Sequence, residues 1–169
     1  SICLLEAGPA DTSGFVHVPF GTVAMLPTSF NNWAYKTEPQ PGLDGRRGYQ
    51  PRGRVLGGSG SINAMIYIRG HHSDYEDWAA RAPGWGWSDV FPYFLRGEHN
   101  ERGADEWHGS GGPLNVADVR SGIGITPAFL EAGVQAGHVL NPDFNGPSQE
   151  GIGMYQVTQK NGRRWSPAR

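Results

Sequence analysis

Between Gly53 and Gly60 four of eight residues are glycine, with Ser59 among them and Ser61 directly after. Such a run is a poor helix and a poor strand, because each glycine gives up more backbone freedom on folding than any other residue. It belongs where the chain turns tightly, adopts positive φ, or lets something approach its backbone. The full segment, Gly53-Arg54-Val55-Leu56-Gly57-Gly58-Ser59-Gly60-Ser61-Ile62-Asn63-Ala64-Met65, leaves a series of N–H groups unshielded by Cβ atoms. A loop of this kind leading into a helix can cradle an anion such as a pyrophosphate. A plain tight turn satisfies the same residues, and the two readings stay open on physical grounds alone.

Glycine and proline together make up about 23% of the 169 residues, near the level of low-complexity chains. Six Trp, six Tyr and seven Phe spread along the sequence argue instead for a loop-rich globular protein. The formal charge of −2 points to neither a nucleic-acid partner nor an anionic membrane surface. No apolar stretch reaches membrane-spanning length. The single Cys3 excludes an internal disulfide and a cysteine-based metal site, and its apolar neighbours predict a buried thiol.

Ile2-Cys3-Leu4-Leu5 reads as a strand buried on both faces of a parallel sheet, stopped by Gly8 and Pro9. Residues 27–54 read as a long loop of the lid type. Helices are expected from Ser73 to Ala82 with Ser73 as N-cap, from Ser88 onward with Pro92 inside, and from Thr126 to Gly137. Residues 153–159 are strand-like, and Asn161-Gly162 is a hairpin-turn signal. Ser166-Pro167 looks like the start of a helix. With a central strand at one end and a starting helix at the other, both ends read as cut. The class is α/β (α+β).

The wider string, Pro51-Arg52-Gly53-Arg54-Val55-Leu56-Gly57-Gly58-Ser59 followed by Ser61-Ile62-Asn63-Ala64-Met65-Ile66-Tyr67-Ile68-Arg69-Gly70, resembles the first signature of the glucose-methanol-choline (GMC) oxidoreductases. Supporting segments follow in that family's order: Thr37-Glu38-Pro39-Gln40, Gly86-Trp87-Ser88, Gly112-Pro113-Leu114, Asp143-Phe144-Asn145-Gly146 and Gly162-Arg163-Arg164-Trp165-Ser166. The similarity is to the choline and alcohol dehydrogenase branch and covers essentially the whole chain.

That resemblance implies an interior fragment of an FAD-dependent oxidoreductase that passes hydride from an alcohol to flavin, giving an aldehyde or ketone. It implies a partial FAD-binding dinucleotide fold over residues 1–107, with a lid loop at about 27–54 and a flavin loop at 53–70. Residues 108–169 would begin the substrate-binding domain. Glu6 would bond the adenosine ribose, as an acid after the second strand of such units does. Gly57, Gly58 and Ser59 would lie against the pyrophosphate and ribityl chain, and Asn63, Ala64 and Met65 would approach the isoalloxazine. Arg54 would neutralise phosphate, although exposed surface charge serves as well. Ile62 stands where some choline-oxidising relatives carry a flavin-bonded His, so non-covalent FAD is expected. Gly60 stands where relatives often carry Ser, and is expected to loosen the loop.

Family members remove the alcohol proton with a C-terminal His, and none of His17, His71, His72, His99, His108 or His138 matches it. The catalytic base is therefore expected outside these residues, and the isolated chain is expected to be inactive. Adjacent His71-His72 without acidic or Cys partners at ligand spacing reads as a solvated turn rather than metal. The implied partners are a small-molecule alcohol and the rest of the parent chain, with a cytoplasmic location favoured. Two other classes compete. An aromatic-rich, non-catalytic carbohydrate-binding module would use the Trp and Tyr residues, and an NAD-dependent dehydrogenase would use Glu6 but leave the Gly57–Asn63 signature unexplained.

Overall fold

Glycine and proline cut the chain into short elements, and among the described residues no strand exceeds five residues. A computed structural model describes residues 2–120 and 122–169. Among them the helices are α1 (Gly14–His17), α2 (Thr22–Met25), α3 (His72–Ala79), α4 (Trp87–Gly97) and α5 (Thr126–Gln135). The strands are β1 (Tyr35–Lys36), β2 (Tyr49–Gln50), β3 (Ile66–Tyr67), β4 (Glu98–Asn100), β5 (Leu114–Asp118), β6 (Gln156–Val157), β7 (Gln159–Lys160) and β8 (Arg163–Arg164). Helix and sheet are mixed and loops dominate, as expected. The chain divides into two compact units, one built from residues up to Met65 together with Gln159–Arg169, the other from Ile66–Thr158.

In the first unit, Val16 of α1, Met25 of α2, Val55 and Ile62 form a small apolar core, with Leu26 packed against it. The stretch expected as a long loop at 27–54 contains an antiparallel arm, in which Tyr35 pairs with Gln50 and Lys36 with Tyr49. Asn32 anchors its base. This buried amide donates to the carbonyls of Leu26 (3.0 Å) and Thr28 (2.9 Å), while its Oδ1 accepts from the Arg52 N–H at 2.9 Å. The β7–β8 hairpin turns on Asn161 (φ 51°) and Gly162 (φ 73°), so the expected Asn-Gly turn is present. Ser166 caps a single C-terminal turn, its Oγ accepting from the Ala168 N–H at 3.3 Å.

Residues 2–5, expected as a central strand, form none. Ile2, Leu4 and Leu5 are exposed, and so is Cys3, which was expected to be buried. A parallel strand exists only through its neighbours, and no strand among the described residues runs beside this segment.

The second unit holds a four-stranded sheet in the order β3-β6-β5-β4. β6 runs antiparallel to both β3 and β5, and β4 runs parallel to β5, pairing Glu98 with Leu114 and Asn100 with Val116. Its interior is polar as much as apolar. Glu98 is fully buried and accepts from Arg69 Nη2 (2.6 Å), Asn100 Nδ2 (3.0 Å) and the Gly109 N–H (3.1 Å), with His108 Nδ1 at 3.1 Å. The other nitrogen of His108 meets Asp143 at 2.8 Å. The rings of Tyr67, Phe91 and Phe94 surround the Arg69 guanidinium at 5.6–5.8 Å.

Two of the expected helices start earlier than their serines suggest. His71, not Ser73, caps α3, because Asp74 reaches back to its N–H at 2.8 Å. Gly86, not Ser88, precedes α4, with Asp89 bonding its N–H at 3.0 Å. In both, the acid three residues into the helix chooses the cap. α5 starts at Thr126, one residue after its cap Ile125, and closes on Gly137 at φ 96°.

Candidate functional site

The glycine-rich segment lies wholly in the first unit and is held from below by its apolar residues. Val55 and Ile62 are buried in the core, and in the turn between them only Ser59 is exposed. The segment starts beneath Gly8, where a Cβ would lie 2.1 Å from the Arg54 carbonyl oxygen, and the Leu56 N–H bonds Pro9 O at 2.9 Å. It then folds back on itself. The Gly53 N–H donates to Ser59 Oγ at 3.0 Å, and a Cβ on Gly53 would meet the Gly58 carbonyl at 2.2 Å. Ser61, fully buried, donates its hydroxyl to Leu56 O at 2.8 Å and closes the turn.

Gly57 and Gly58 both have positive φ, at 90° and 57°, and lead into a single 3-10 turn over Gly58–Ser61. Nothing lies within 4 Å of where a Cβ on Gly58 would stand, so this backbone is open to an incoming group. Gly60 differs from its expectation. A Cβ there would stand 2.4 Å from Pro167 Cδ, so glycine allows close packing rather than slack.

Asn63 and Ala64 are exposed, and Met65 is buried at φ 63°, a conformation that costs a non-glycine residue energy and recurs at functional sites. Asn63 is fixed at both of its oxygens. Its carbonyl accepts from Thr22 Oγ1 at 2.9 Å, and its Oδ1 accepts from the Met65 N–H at 2.9 Å and from Arg164 Nη1 at 2.8 Å. Arg164, on β8, is 1% exposed and donates also to Val16 O (2.9 Å), Thr22 Oγ1 (2.6 Å) and Gly60 O (3.3 Å). Burial pushes its pKa down to about 10, which leaves it a cation at neutral pH. The sequence had placed Arg164 in a family-like string without a role, and nothing in the sequence singled out Thr22.

Of the residues expected at the site, Ser59, Asn63 and Ala64 are exposed, Gly57 and Gly58 are half-buried, and Met65 is buried. Arg54 is exposed and lays its guanidinium over Trp33 at 5.3 Å. Glu6 is exposed and accepts from the Gly8 N–H at 2.7 Å, two residues from the contact with Arg54. Asp11 keeps one buried carboxylate oxygen, Oδ2, with no hydrogen-bond partner.

The histidines have other tasks. His71 caps α3, and His72 stacks on Trp87 at 4.0 Å, so the pair opens a helix rather than forming a solvated turn. Hydrogen bonds donated to Asp143 and Glu98 outweigh burial and raise the His108 pKa to about 9, making it a structural cation. Among the described residues no group of three or more His, Cys, Asp or Glu could hold a metal ion. No helix among them is long and apolar enough to cross a membrane.

Comparison with known proteins agrees with the motif reading. The family model described as GMC oxidoreductase matches residues 6–169. The chain is 48% identical over 170 residues to alcohol dehydrogenase [acceptor] of Pseudomonas putida, covering 99% of this chain and 31% of that protein. It is 46% identical over 175 residues to the mitochondrial choline dehydrogenase of Homo sapiens, covering 99% and 30%. The crystal structure of pyridoxine 4-oxidase from Mesorbium loti superposes with a TM-score of 0.86 at 34% identity, over 95% of this chain and 32% of that one. The chain thus spans about a third of the length of these relatives, and it belongs to the GMC oxidoreductase family.

Proposed function

We propose that the protein carrying this chain oxidises the CH–OH group of a small alcohol to an aldehyde or ketone with FAD, and that residues Gly57–Met65 form part of the flavin-contacting surface. When bound, FAD supplies the hydride acceptor. The observation that carries the reading is Gly58: positive φ, an open face, and a family-like signature on both sides. A Cβ would fill that space, so the residues present fit a ligand backbone laid against them.

Gly57, Gly58 and Ser59 would bind the phosphate and sugar portion through backbone, and Asn63, Ala64 and Met65 would orient the ring. Glu6 would take ribose hydroxyls, and Arg54 a phosphate. Ile62 is buried in the core and carries no nucleophile, which supports non-covalent FAD at this position. The proton-accepting His is assigned to a part of the protein beyond these residues.

Purified full-length protein is expected to show flavin absorbance, and acid precipitation is expected to release all of that flavin into the supernatant. Anaerobic addition of a suitable primary or secondary alcohol, choline included in the panel, is expected to bleach it. Protein without flavin would overturn the reading, and flavin retained in the pellet would overturn its non-covalent part.

A further inference from the structure

Both units bury an arginine, but they treat its charge differently. In the second unit Arg69 lies 2.6 Å from the Glu98 carboxylate, and burial of one charge is offset by the other. In the first unit Arg164 is more deeply buried, and its four partners, Val16 O, Gly60 O, Asn63 Oδ1 and Thr22 Oγ1, are all neutral. Among the described residues no carboxylate stands within ion-pair distance of it. A buried cation without a counter-charge is costly. Neutral acceptors satisfy its N–H groups but leave its field uncancelled, and two of them, Gly60 and Asn63, belong to the glycine-rich segment.

We propose that Arg164 is a positioning residue of the flavin-contacting segment, acting through Asn63, and that its uncompensated charge makes that segment an electropositive seat. This rests on the function proposed above. The geometry gives the mechanism. The planar guanidinium spans three elements, with Nε on α1, Nη2 on the Thr22 hydroxyl at the start of α2, and Nη1 on Gly60 and Asn63. Thr22 in turn donates to the Asn63 carbonyl, so both oxygens of Asn63 are tied to one buried cation, directly or through one hydroxyl. Lysine would keep the charge but not the fork. The depressed pKa of Arg164 agrees with a field that no neighbouring anion balances.

The test uses full-length protein stripped of flavin and titrated with FAD, with the midpoint potential of the bound flavin as a second readout. Arg164→Gln is expected to weaken FAD binding by about 10-fold to 100-fold, the range of a charged hydrogen bond. It is also expected to lower the midpoint potential. Arg164→Lys is expected to weaken binding but to restore the potential toward the wild-type value. Asn63→Ala is expected to cost affinity in the wild-type background and almost nothing more in Arg164→Gln, because the two act as one unit.

Independent, additive losses would overturn action through Asn63, and an unchanged potential in Arg164→Gln would overturn the electrostatic role. Should Arg164→Gln fail to fold, the same cycle is run with Arg164→Lys, in which additive losses overturn the proposal and coupled ones support it. Wild-type protein that binds no FAD would overturn the parent reading and this one together. Normal wild-type binding with unaffected variants would overturn this one alone.

Discussion

Gly57 and Gly58 are neighbours with positive φ, yet substitution should injure the protein in different ways. At Gly57 a Cβ would meet Ser61 Oγ at 2.4 Å and Ala168 at 3.1 Å, so the added methyl disturbs the bond that closes the turn. Gly57→Ala is therefore expected to cost about 2–3 kcal/mol of stability, from clash and backbone strain together. Gly58 faces nothing, and Gly58→Ala should cost only the roughly 1 kcal/mol of the left-handed conformation. For FAD the order reverses, because the Gly58 methyl occupies the open face. Denaturant midpoints and FAD titration of the two full-length variants check this. If Gly57→Ala were the worse variant by both measures, Gly58 would not line the ligand site.

At the level of elements, the parallel pair of β4 and β5 depends on protonation. Burial pushes the Glu98 carboxyl up, but hydrogen bonds from His108, Gly109 and Asn100 and the charge of Arg69 outweigh it and hold the pKa below the ordinary value. Asp143 shows the same balance, burial against bonds from His108 and Asn145. His108 moves the other way, to about 9. Between its unfolded value of about 6.5 and that raised value, the folded protein keeps a proton that the unfolded chain releases. Its contribution is thus complete below about pH 6.5 and is lost as pH rises through about 9. The carboxylates act oppositely, contributing above their unfolded pKa values and losing that contribution in acid. A His108→Gln variant should be less stable than wild type by roughly 2–3 kcal/mol at pH 6 and nearly equal to it at pH 10. Chemical denaturation across that range measures the difference, and a constant gap would show that His108 acts by packing alone.

The elements that sequence reading located were those set by nearby residues: α5 ending at Gly137, the Asn161-Gly162 turn, and the tight turn of the glycine-rich segment. Starts of α3 and α4 shifted because the acid at the third position outranked the nearest serine. The strand at 2–5 failed because pairing is not local. Arg164 is the sharper case. Its partners Thr22 and Val16 lie 142 and 148 residues away in sequence, and no local pattern reports on them.

For the whole molecule, the question is whether these residues suffice by themselves. The chain exposes 11011 Å², about a third more than the roughly 8,100 Å² expected of a folded monomer of 18.3 kDa. Many large apolar side chains are among what is exposed. In the first unit Phe15, Val18, Phe20 and Val23 line an open groove of about 570 Å³, and in the second Trp78, Trp85 and Tyr93 line another of about 650 Å³. Among the described residues the buried apolar side chains number eight against fourteen buried polar ones, a thin core whose polar networks tolerate no loosening. On the reading proposed above, the glycine-rich segment would supply only one part of a dinucleotide site. No Gly-x-Gly-x-x-Gly fingerprint for the diphosphate occurs in these residues. Residues 1–169 expressed alone are therefore expected to bind a hydrophobic dye strongly, quench FAD fluorescence weakly and without a stoichiometric end point, and reduce no acceptor dye with any alcohol. The full-length protein, assayed in parallel, should do the reverse in each respect. Tight one-to-one FAD binding by the isolated chain would show that Gly57–Met65, with Arg164 beneath it, is a complete flavin site rather than one wall of it.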